Sequence, residues 1–225
     1  MSEPASPQAL TPVAQDYLKV IWTAQEWTDQ PVTTKALAAR LGVGASTVSE
    51  TVRRLADSGL VTHEPYGAVF LTDPGRAQAL AMVRRHRLLE TFLVAQLGYG
   101  WDEVHDEAEV LEHAVSDAFV ERVAALLGHP SRDPHGDPIP GPDGALCTPR
   151  AWSLWDSEPG QWQVARISDA DPELLRYLAS VGLVLDAVVT VTRQEVAGAV
   201  TAAVAGGAAV DLAEPAASAI WLTAP

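Results

Sequence analysis

The chain concentrates imidazoles and carboxylates between residues 83 and 117. If this stretch is helical, His86 and Glu90 lie one turn apart on one face. A second group also falls on a single helical face, and its members are His105, Glu109, Glu112 and His113. Two helices with such groups can surround one or two divalent metal ions, because imidazole and carboxylate are common metal ligands. A solvated acidic helix with incidental histidines is the alternative, but two such segments together favour metal binding.

Composition limits the class of protein. A chain of 225 residues is long enough for two domains or three small ones. Its single cysteine, Cys147, excludes a disulfide within the chain and indicates a reducing compartment. There is no apolar run of membrane-spanning length, and the first residues lack the basic and apolar regions of a signal peptide. We therefore expect a cytoplasmic protein with no membrane partner.

The net charge of −14 argues at first against a nucleic-acid partner. The charge is unevenly distributed, however. Residues 1–76 contain 6 Lys and Arg against 8 Asp and Glu, whereas residues 129–225 contain 5 against 12. The first part of the chain is therefore near neutral, and bound divalent ions would offset part of the remaining excess.

Residues 32–61 show the pattern of a helix-turn-helix, with two short helices separated by a turn at residues 43–45. Two β-like runs follow at residues 60–62 and 68–72, and the turn between them would comprise residues 63–67. This arrangement predicts a β-hairpin wing beside the helices. Any small three-helix core can mimic a helix-turn-helix, so the exposed face of the second helix carries more information.

That second helix has a face suited to DNA. Small hydroxyl side chains let a helix approach base edges closely, and arginines contact phosphate or guanine. A merely solvated helix would carry more long Glu and Lys side chains. The residues predicted to contact DNA are Ser46, Thr47, Ser49, Glu50, Thr51, Arg53 and Arg54.

We predict three regions along the chain. Residues 1–76 form a winged helix-turn-helix DNA-binding domain, and residues 77–144 form a helical metal-binding domain with a Pro-rich linker from residue 129. In residues 150–225, short β-branched runs surround one helix at 172–181, which predicts a small β-barrel of about five strands. The fold class is therefore mainly α with a β module.

The order of winged helix, HRLLETFL, HDEAEVLEHAVSD, DPHGDPIP and small β-domain resembles the diphtheria-toxin-repressor family of metal-dependent transcription regulators. The resemblance covers nearly the whole chain. It implies a homodimer, joined through the 77–144 domain, that binds a palindromic double-stranded DNA operator when metal is present. It also implies an SH3-like (FeoA-like) C-terminal domain, no enzymatic activity and no small-molecule substrate.

The resemblance also implies metal ligands, residue by residue. The regulatory site would combine Asp16 from the first helix with a set from the metal-binding domain, namely Glu109, Glu112 and His113. The other site would use His86, Glu90 and His105, with Asp169 from the third domain. Asp133 and His135 are further candidates, because DPHG matches a Cys-Pro-His-Gly ligand segment of some manganese-type relatives.

Ligand type favours manganese. Iron-sensing members have Met and Cys at the positions that match Asp16 and Glu109, whereas this chain has carboxylates, as manganese-sensing members do. Oxygen donors suit Mn²⁺, so Mn²⁺ is the expected cofactor, with Fe²⁺ or another divalent metal as the alternative. Lys19 stands where two-domain manganese regulators have a ligand Glu, so their paired-metal arrangement is not implied.

Three other functions stay open at this point. One is an iron-responsive repressor of the same family, and another is a metal-independent DNA-binding protein. The third is a helical di-metal enzyme. Such enzymes draw Glu-x-x-His pairs from two helices, and this chain has no such pair.

Overall fold

The structure is a computed structural model and describes residues 10–28, 30–63, 67–193 and 198–225. Contacts divide the chain into two compact units. The first comprises Met1–Arg85 and Pro140–Ala145, and the second comprises His86–Ile139 and Leu146–Pro225. Within the described part of the chain, no helix is long and apolar enough to cross a membrane.

The first unit begins with three helices, which are α1 (Pro12–Glu26), α2 (Thr34–Leu41) and α3 (Ala45–Asp57). Thr11 and Thr33 cap α1 and α2, because their hydroxyls accept hydrogen bonds from backbone N–H groups of the first turn. Gly42 ends α2 in the left-handed conformation, with φ of 66°. Leu18, Leu37 and Val52 belong to the apolar core between these helices.

A two-stranded wing follows, as predicted. Strand β1 (Val61–His63) pairs antiparallel with β2 (Val69–Leu71), and Val61 lies opposite Leu71. Val61 and Val69 face the core of the first unit. The predicted turn at 63–67 lies partly outside the described residues, since 64–66 are not among them.

Helix α4 (Asp73–Phe92) links the wing to the predicted ligands. Its first turn lies directly on the backbone of the wing: a Cβ atom at Gly75 would lie 1.8 Å from the carbonyl oxygen of Leu60, so only glycine fits. The helix continues into one π turn at Leu93–Leu97, which Gly98 ends with φ of 75°. The change from α-helix to π turn thus comes directly after the helix that carries His86 and Glu90.

The second unit contains two further helices, α5 (Val104–Glu112) and α6 (Asp117–Leu126). Val104 and Ala108 of α5 pack against Leu89 and Leu93, while α6 packs against Leu88. Helix α5 ends one residue earlier than the spacing suggested, so that His113 is its C-cap and not part of the helical face.

A six-stranded antiparallel sheet completes the second unit. Its elements are β3 (Trp152–Ser153), β4 (Gly160–Ile167), α7 (Pro172–Ser180), β5 (Val188–Arg193), β6 (Ala199–Val204), β7 (Ala209–Ala213), α8 (Glu214–Ala217) and β8 (Ile220–Thr223). The strand order is β3-β8-β4-β5-β6-β7, and Leu175 and Leu178 of α7 belong to its apolar core. This small antiparallel sheet confirms the predicted β module, with six strands where about five were expected.

Candidate metal centre and DNA-binding helix

His86 lies in a row of imidazoles and carboxylates in the second unit. It is 7% exposed, and both of its ring nitrogens meet a carboxylate. Nδ1 lies 2.6 Å from Oε2 of Glu112, and Nε2 lies 2.9 Å from Oε1 of Glu90. The two contacts place this one imidazole between two buried acids.

Glu90 is the most enclosed acid of this row, with 1% exposure. Its Oε1 also lies 3.3 Å from Nδ1 of His105, and its Oε2 lies 3.9 Å from Nδ1 of His135. Burial disfavours the ionised carboxylate, but the charge of His86 and hydrogen bonds with His105 and His86 outweigh burial and lower the pKa of Glu90. Glu90 is therefore ionised at neutral pH, as a metal ligand must be.

His105, in the first turn of α5, joins Glu90 to the segment after β4. Its Nδ1 lies 3.1 Å from Oδ2 of Asp169, and its Nε2 lies 3.5 Å from Oε1 of Glu109. Although burial opposes the charged ring, hydrogen bonds with Asp169 and Glu90 raise the pKa of His105 to about 10. Burial would raise the pKa of Asp169, but the contact with His105 prevails and lowers it.

His135 has one ring nitrogen fixed and the other unused. Nε2 lies 2.6 Å from the carbonyl oxygen of Trp101, which can only accept, so Nε2 carries the hydrogen. Nδ1 is buried, faces Glu90 and has no hydrogen-bond partner among the described residues. A buried ring nitrogen without a hydrogen-bond partner is unfavourable. A cation between the two groups would remove that cost, and a ligand histidine characteristically donates its other N–H to a carbonyl in this way.

The loop that carries His135 lies against the backbone of β4. The N–H of Ile167 donates to the carbonyl of His135 at 2.9 Å. Gly136 has φ of 92°, and a Cβ atom there would lie 2.1 Å from the carbonyl oxygen of Ala165. This close approach brings His135 to the strand that leads to Asp169.

The buried side chain of Asp133 holds this loop in shape through hydrogen bonds with its backbone. Its Oδ1 accepts hydrogen bonds from the backbone N–H groups of His135 at 2.8 Å and Asp137 at 2.9 Å. Its Oδ2 lies 3.6 Å from Nε of Arg87. Burial, followed by the charges of Asp137 and Glu90, raises the pKa of Asp133 well above its ordinary value.

Among the described residues of the second unit, the structure thus forms two groups of three potential ligands. In each group, one ligand atom per residue lies within 4.8 Å of the others; the groups are His86, His105 and Glu109, and Glu90, His135 and Asp169. Asp133, although predicted as a ligand, belongs to neither group. Cys147 is exposed and also lies outside both groups, so they contain nitrogen and oxygen donors only. Such donors fit a divalent ion such as Mn²⁺ or Fe²⁺.

Of the remaining predicted ligands, Glu112 and His113 adjoin each other in the second unit, and Asp16 belongs to the first unit. Glu112 is fully buried at the end of α5, and its Oε1 lies 3.6 Å from Nε2 of His113. Asp16 is half-buried on α1, in the first unit. No sequence pattern indicated that Trp101 would contact His135, because its contribution is a backbone carbonyl.

Helix α3 presents most of the predicted DNA contacts to solvent. Six residues are exposed, namely Ser46, Thr47, Ser49, Glu50, Arg53 and Arg54. Thr51 is an exception to the expectation: it is 6% exposed, because it follows Val48 by three residues and shares its buried side.

Comparison with known proteins identifies the family. Three family models match successive parts of the chain: "Iron dependent repressor, N-terminal DNA binding domain" matches residues 9–69, "Iron dependent repressor, metal binding and dimerisation domain" matches residues 72–141, and "FeoA domain" matches residues 157–224. The iron-dependent repressor IdeR of Mycobacterium leprae is 33% identical over 195 residues, which span 81% of this chain and 84% of the relative. The chain belongs to the diphtheria-toxin-repressor family. It is therefore a metal-dependent transcriptional repressor and not a helical di-metal enzyme.

Two further matches are a curated relative and a solved structure. The diphtheria toxin repressor of Corynebacterium diphtheriae is 37% identical over 134 residues, which span 60% of this repressor but only 59% of the relative. A solved structure of a manganese-dependent transcriptional repressor in complex with manganese is 63% identical, with a TM-score of 0.90, and the match covers 94% of this chain and 100% of that one.

Proton release should accompany metal binding, because a ligand imidazole must be neutral. His105 has its pKa raised to about 10, so at pH 7.5 it is protonated and must lose its proton before it can bind metal. Metal affinity should therefore rise as pH rises toward 10. Calorimetric Mn²⁺ titrations in buffers of different ionisation enthalpy should show that His105 supplies about one proton per repressor chain. His105→Gln should lose that proton, whereas His63→Gln, in the wing, should not. Equal proton release by all three proteins would contradict this prediction.

The role of Asp133 can be separated from that of a ligand. Asp133→Asn keeps an oxygen that can accept from the N–H groups of His135 and Asp137, and Arg87 keeps its contact with Asp137. It should retain wild-type Mn²⁺ stoichiometry in equilibrium dialysis. Asp133→Ala should weaken binding by about 10–100-fold, the effect typical of groups that orient a ligand. Loss of one metal ion by Asp133→Asn, as in the control His135→Ala, would instead identify Asp133 as a ligand.

Proposed function

We propose that the repressor is activated by Mn²⁺ and binds a palindromic operator as a homodimer, to control genes of metal-ion homeostasis. The observation that carries this proposal is the donor set of the second unit, in which carboxylates and imidazoles converge without a thiolate or thioether. Hard oxygen donors favour Mn²⁺ relative to the soft sulfur donors that select other metals. Because operator DNA lies in the cytoplasm, we place the repressor there.

The names of the relatives support both manganese and iron, so ligand chemistry has to separate them. The relative from M. leprae is called iron-dependent, whereas the more similar solved structure is a manganese-dependent repressor with manganese. At Asp16 and Glu109 this chain has the carboxylates that the resemblance associates with manganese. Fe²⁺ lies above Mn²⁺ in general affinity. Selectivity for Mn²⁺ would therefore come from the number and arrangement of oxygen donors.

The regulatory metal would be held by Asp16 together with a set from α5, namely Glu109, Glu112 and His113. The bound ion would neutralise the carboxylates and tie α1, the helix beside the helix-turn-helix, to the metal-binding domain. In a homodimer this connection would fix the distance between the two α3 helices. A palindromic operator requires such a fixed spacing, since its half-sites lie whole helical turns apart.

The other members of the two ligand groups would form the second metal centre, namely His86, Glu90, His105, His135 and Asp169. Asp169 follows β4, so a metal bound there would also hold the C-terminal sheet. That sheet is part of a strongly acidic region, with 5 basic and 12 acidic residues over 129–225, which would repel phosphate. We therefore assign DNA contact to α3 and a supporting role to the C-terminal domain.

Asp16→Ala tests the bridging role directly. The variant should fold and dimerise, because Asp16 is a half-buried polar residue outside the apolar core. It should lose Mn²⁺-dependent operator binding, measured by fluorescence anisotropy with dimerisation checked by analytical ultracentrifugation. Glu26→Ala removes a carboxylate from the last turn of the same helix and should leave the response intact. An unchanged Mn²⁺ response in Asp16→Ala would refute the bridging site.

Metal identity is tested by exchanging the two diagnostic ligands. The double variant Asp16→Met, Glu109→Cys supplies a thioether and a thiolate, which should shift activation from Mn²⁺ toward Fe²⁺ or Co²⁺. The measurement is anaerobic operator binding against buffered free metal, with wild type and each single variant as controls. If wild type responds equally to Fe²⁺ and Mn²⁺ at equal occupancy, manganese selectivity is wrong and the iron-responsive alternative gains support.

A further inference from the structure

Helix α3 has a line of residues that points directly away from the core of the first unit. Its buried side consists of Val48, Thr51, Val52 and Leu55. At 100° per residue, the positions opposite that side are Ser46, Glu50, Arg53 and Asp57, spaced by four, three and four residues. All four are exposed. Glu50 therefore lies at the middle of the surface that would enter a DNA groove first.

The neighbours of Glu50 on α3 leave its carboxylate available to contact DNA. The hydroxyl of Ser49 is used within the helix, where it donates to the carbonyl of Ala45 at 2.9 Å. Glu50 Oε1 lies 3.6 Å from Nη2 of Arg54, and the two side chains are 59% and 66% exposed. An ion pair so exposed contributes little to stability and separates easily. Arg54 is thus able to turn to a phosphate, which would leave Glu50 to find another donor.

A carboxylate at this position is costly near DNA unless it meets a hydrogen-bond donor, because phosphates repel it. The donors on the major-groove edges are the amino groups of cytosine and adenine. In adenine the N7 acceptor adjoins the amino group and repels the second carboxylate oxygen. Cytosine presents its N4 amino group without an acceptor of its own beside it, and is the base that Glu and Asp recognise.

We propose that Glu50 accepts a hydrogen bond from the N4 amino group of a cytosine and so determines one base pair of each operator half-site. This inference rests on the proposed function, in that α3 must enter the major groove. Arg54 acts as the partner of Glu50 in the free protein and as a phosphate contact on DNA. The cost of placing a carboxylate in the groove then becomes a source of discrimination, because guanine, thymine and adenine each leave it with a repulsive neighbour or no donor.

The test is selection of operator sequences from a randomised library with Mn²⁺ present, followed by competition measurements with all four base pairs at each position. Wild type should prefer C·G at one position of each half-site by about tenfold or more. Glu50→Gln should move that preference to A·T, since Gln pairs with N6 and N7 of adenine. Glu50→Ala should lose the preference at that position alone. Asp57→Asn, on the same line at the end of α3, should leave every preference unchanged.

The possible outcomes distinguish a failure of the proposed function from a failure of the assignment of Glu50. If wild type shows no Mn²⁺-dependent, sequence-specific binding, the proposed function fails. If wild type does bind but Glu50→Gln and Glu50→Ala keep its preference at every position, only the assignment of Glu50 fails. Loss of binding to all sequences by Glu50→Gln, with an unchanged circular dichroism spectrum, would also overturn it, because a reader of one base should not abolish phosphate-driven binding.

Discussion

A buried carboxylate is expensive unless positive charge and hydrogen-bond donors surround it, and Glu90 imposes that requirement on the second unit. Its neighbours come from four separate segments. Helix α4 supplies His86, α5 supplies His105, the loop before residue 140 supplies His135, and the segment after β4 supplies Asp169 as the partner of His105. The packing of helices, loop and sheet in this unit is therefore linked to the protonation and metal occupancy of one row of groups.

A second set of charges supports that row without belonging to it. Arg166 on β4 donates from Nε to Oδ1 of Asp137 at 2.6 Å and stacks over the ring of Trp221 at 4.2 Å. Arg87 donates to the carbonyl oxygen of Pro138 at 2.7 Å. Breaking such buried pairs typically costs several kcal/mol, because a charge would be left without a partner. The loop with His135 is thus fixed to α4 and β4 by groups that need not contact metal.

The sequence revealed the parts of the centre that follow from helical periodicity. His86 and Glu90 share a turn of α4, and His105 and Glu109 share a turn of α5, so the spacing alone brought each pair together. Asp169 and His135 were predicted as ligands only from the family resemblance, because no local sequence pattern shows which distant segments of the chain will lie together in the fold. The spacing of Thr51 from Val48 indicates that Thr51 is buried. We predicted instead that it contacts DNA, because it was grouped with the other hydroxyl residues of the same helix. Strand β7 contains two alanines and one β-branched residue among its five, so its sequence signal is weak, and the sequence predicted about five strands where the sheet has six.

The hydrogen bond from His135 to Trp101 has a consequence for how this repressor can change over evolutionary time. The acceptor is a main-chain oxygen, so no codon change at position 101 removes it as long as the turn keeps its shape. The tryptophan ring, which stacks on His135 with centroids 6.1 Å apart, can be exchanged while the imidazole stays oriented. Substitutions at position 101 can therefore change the surroundings of the centre while the orientation of His135 is inherited unchanged.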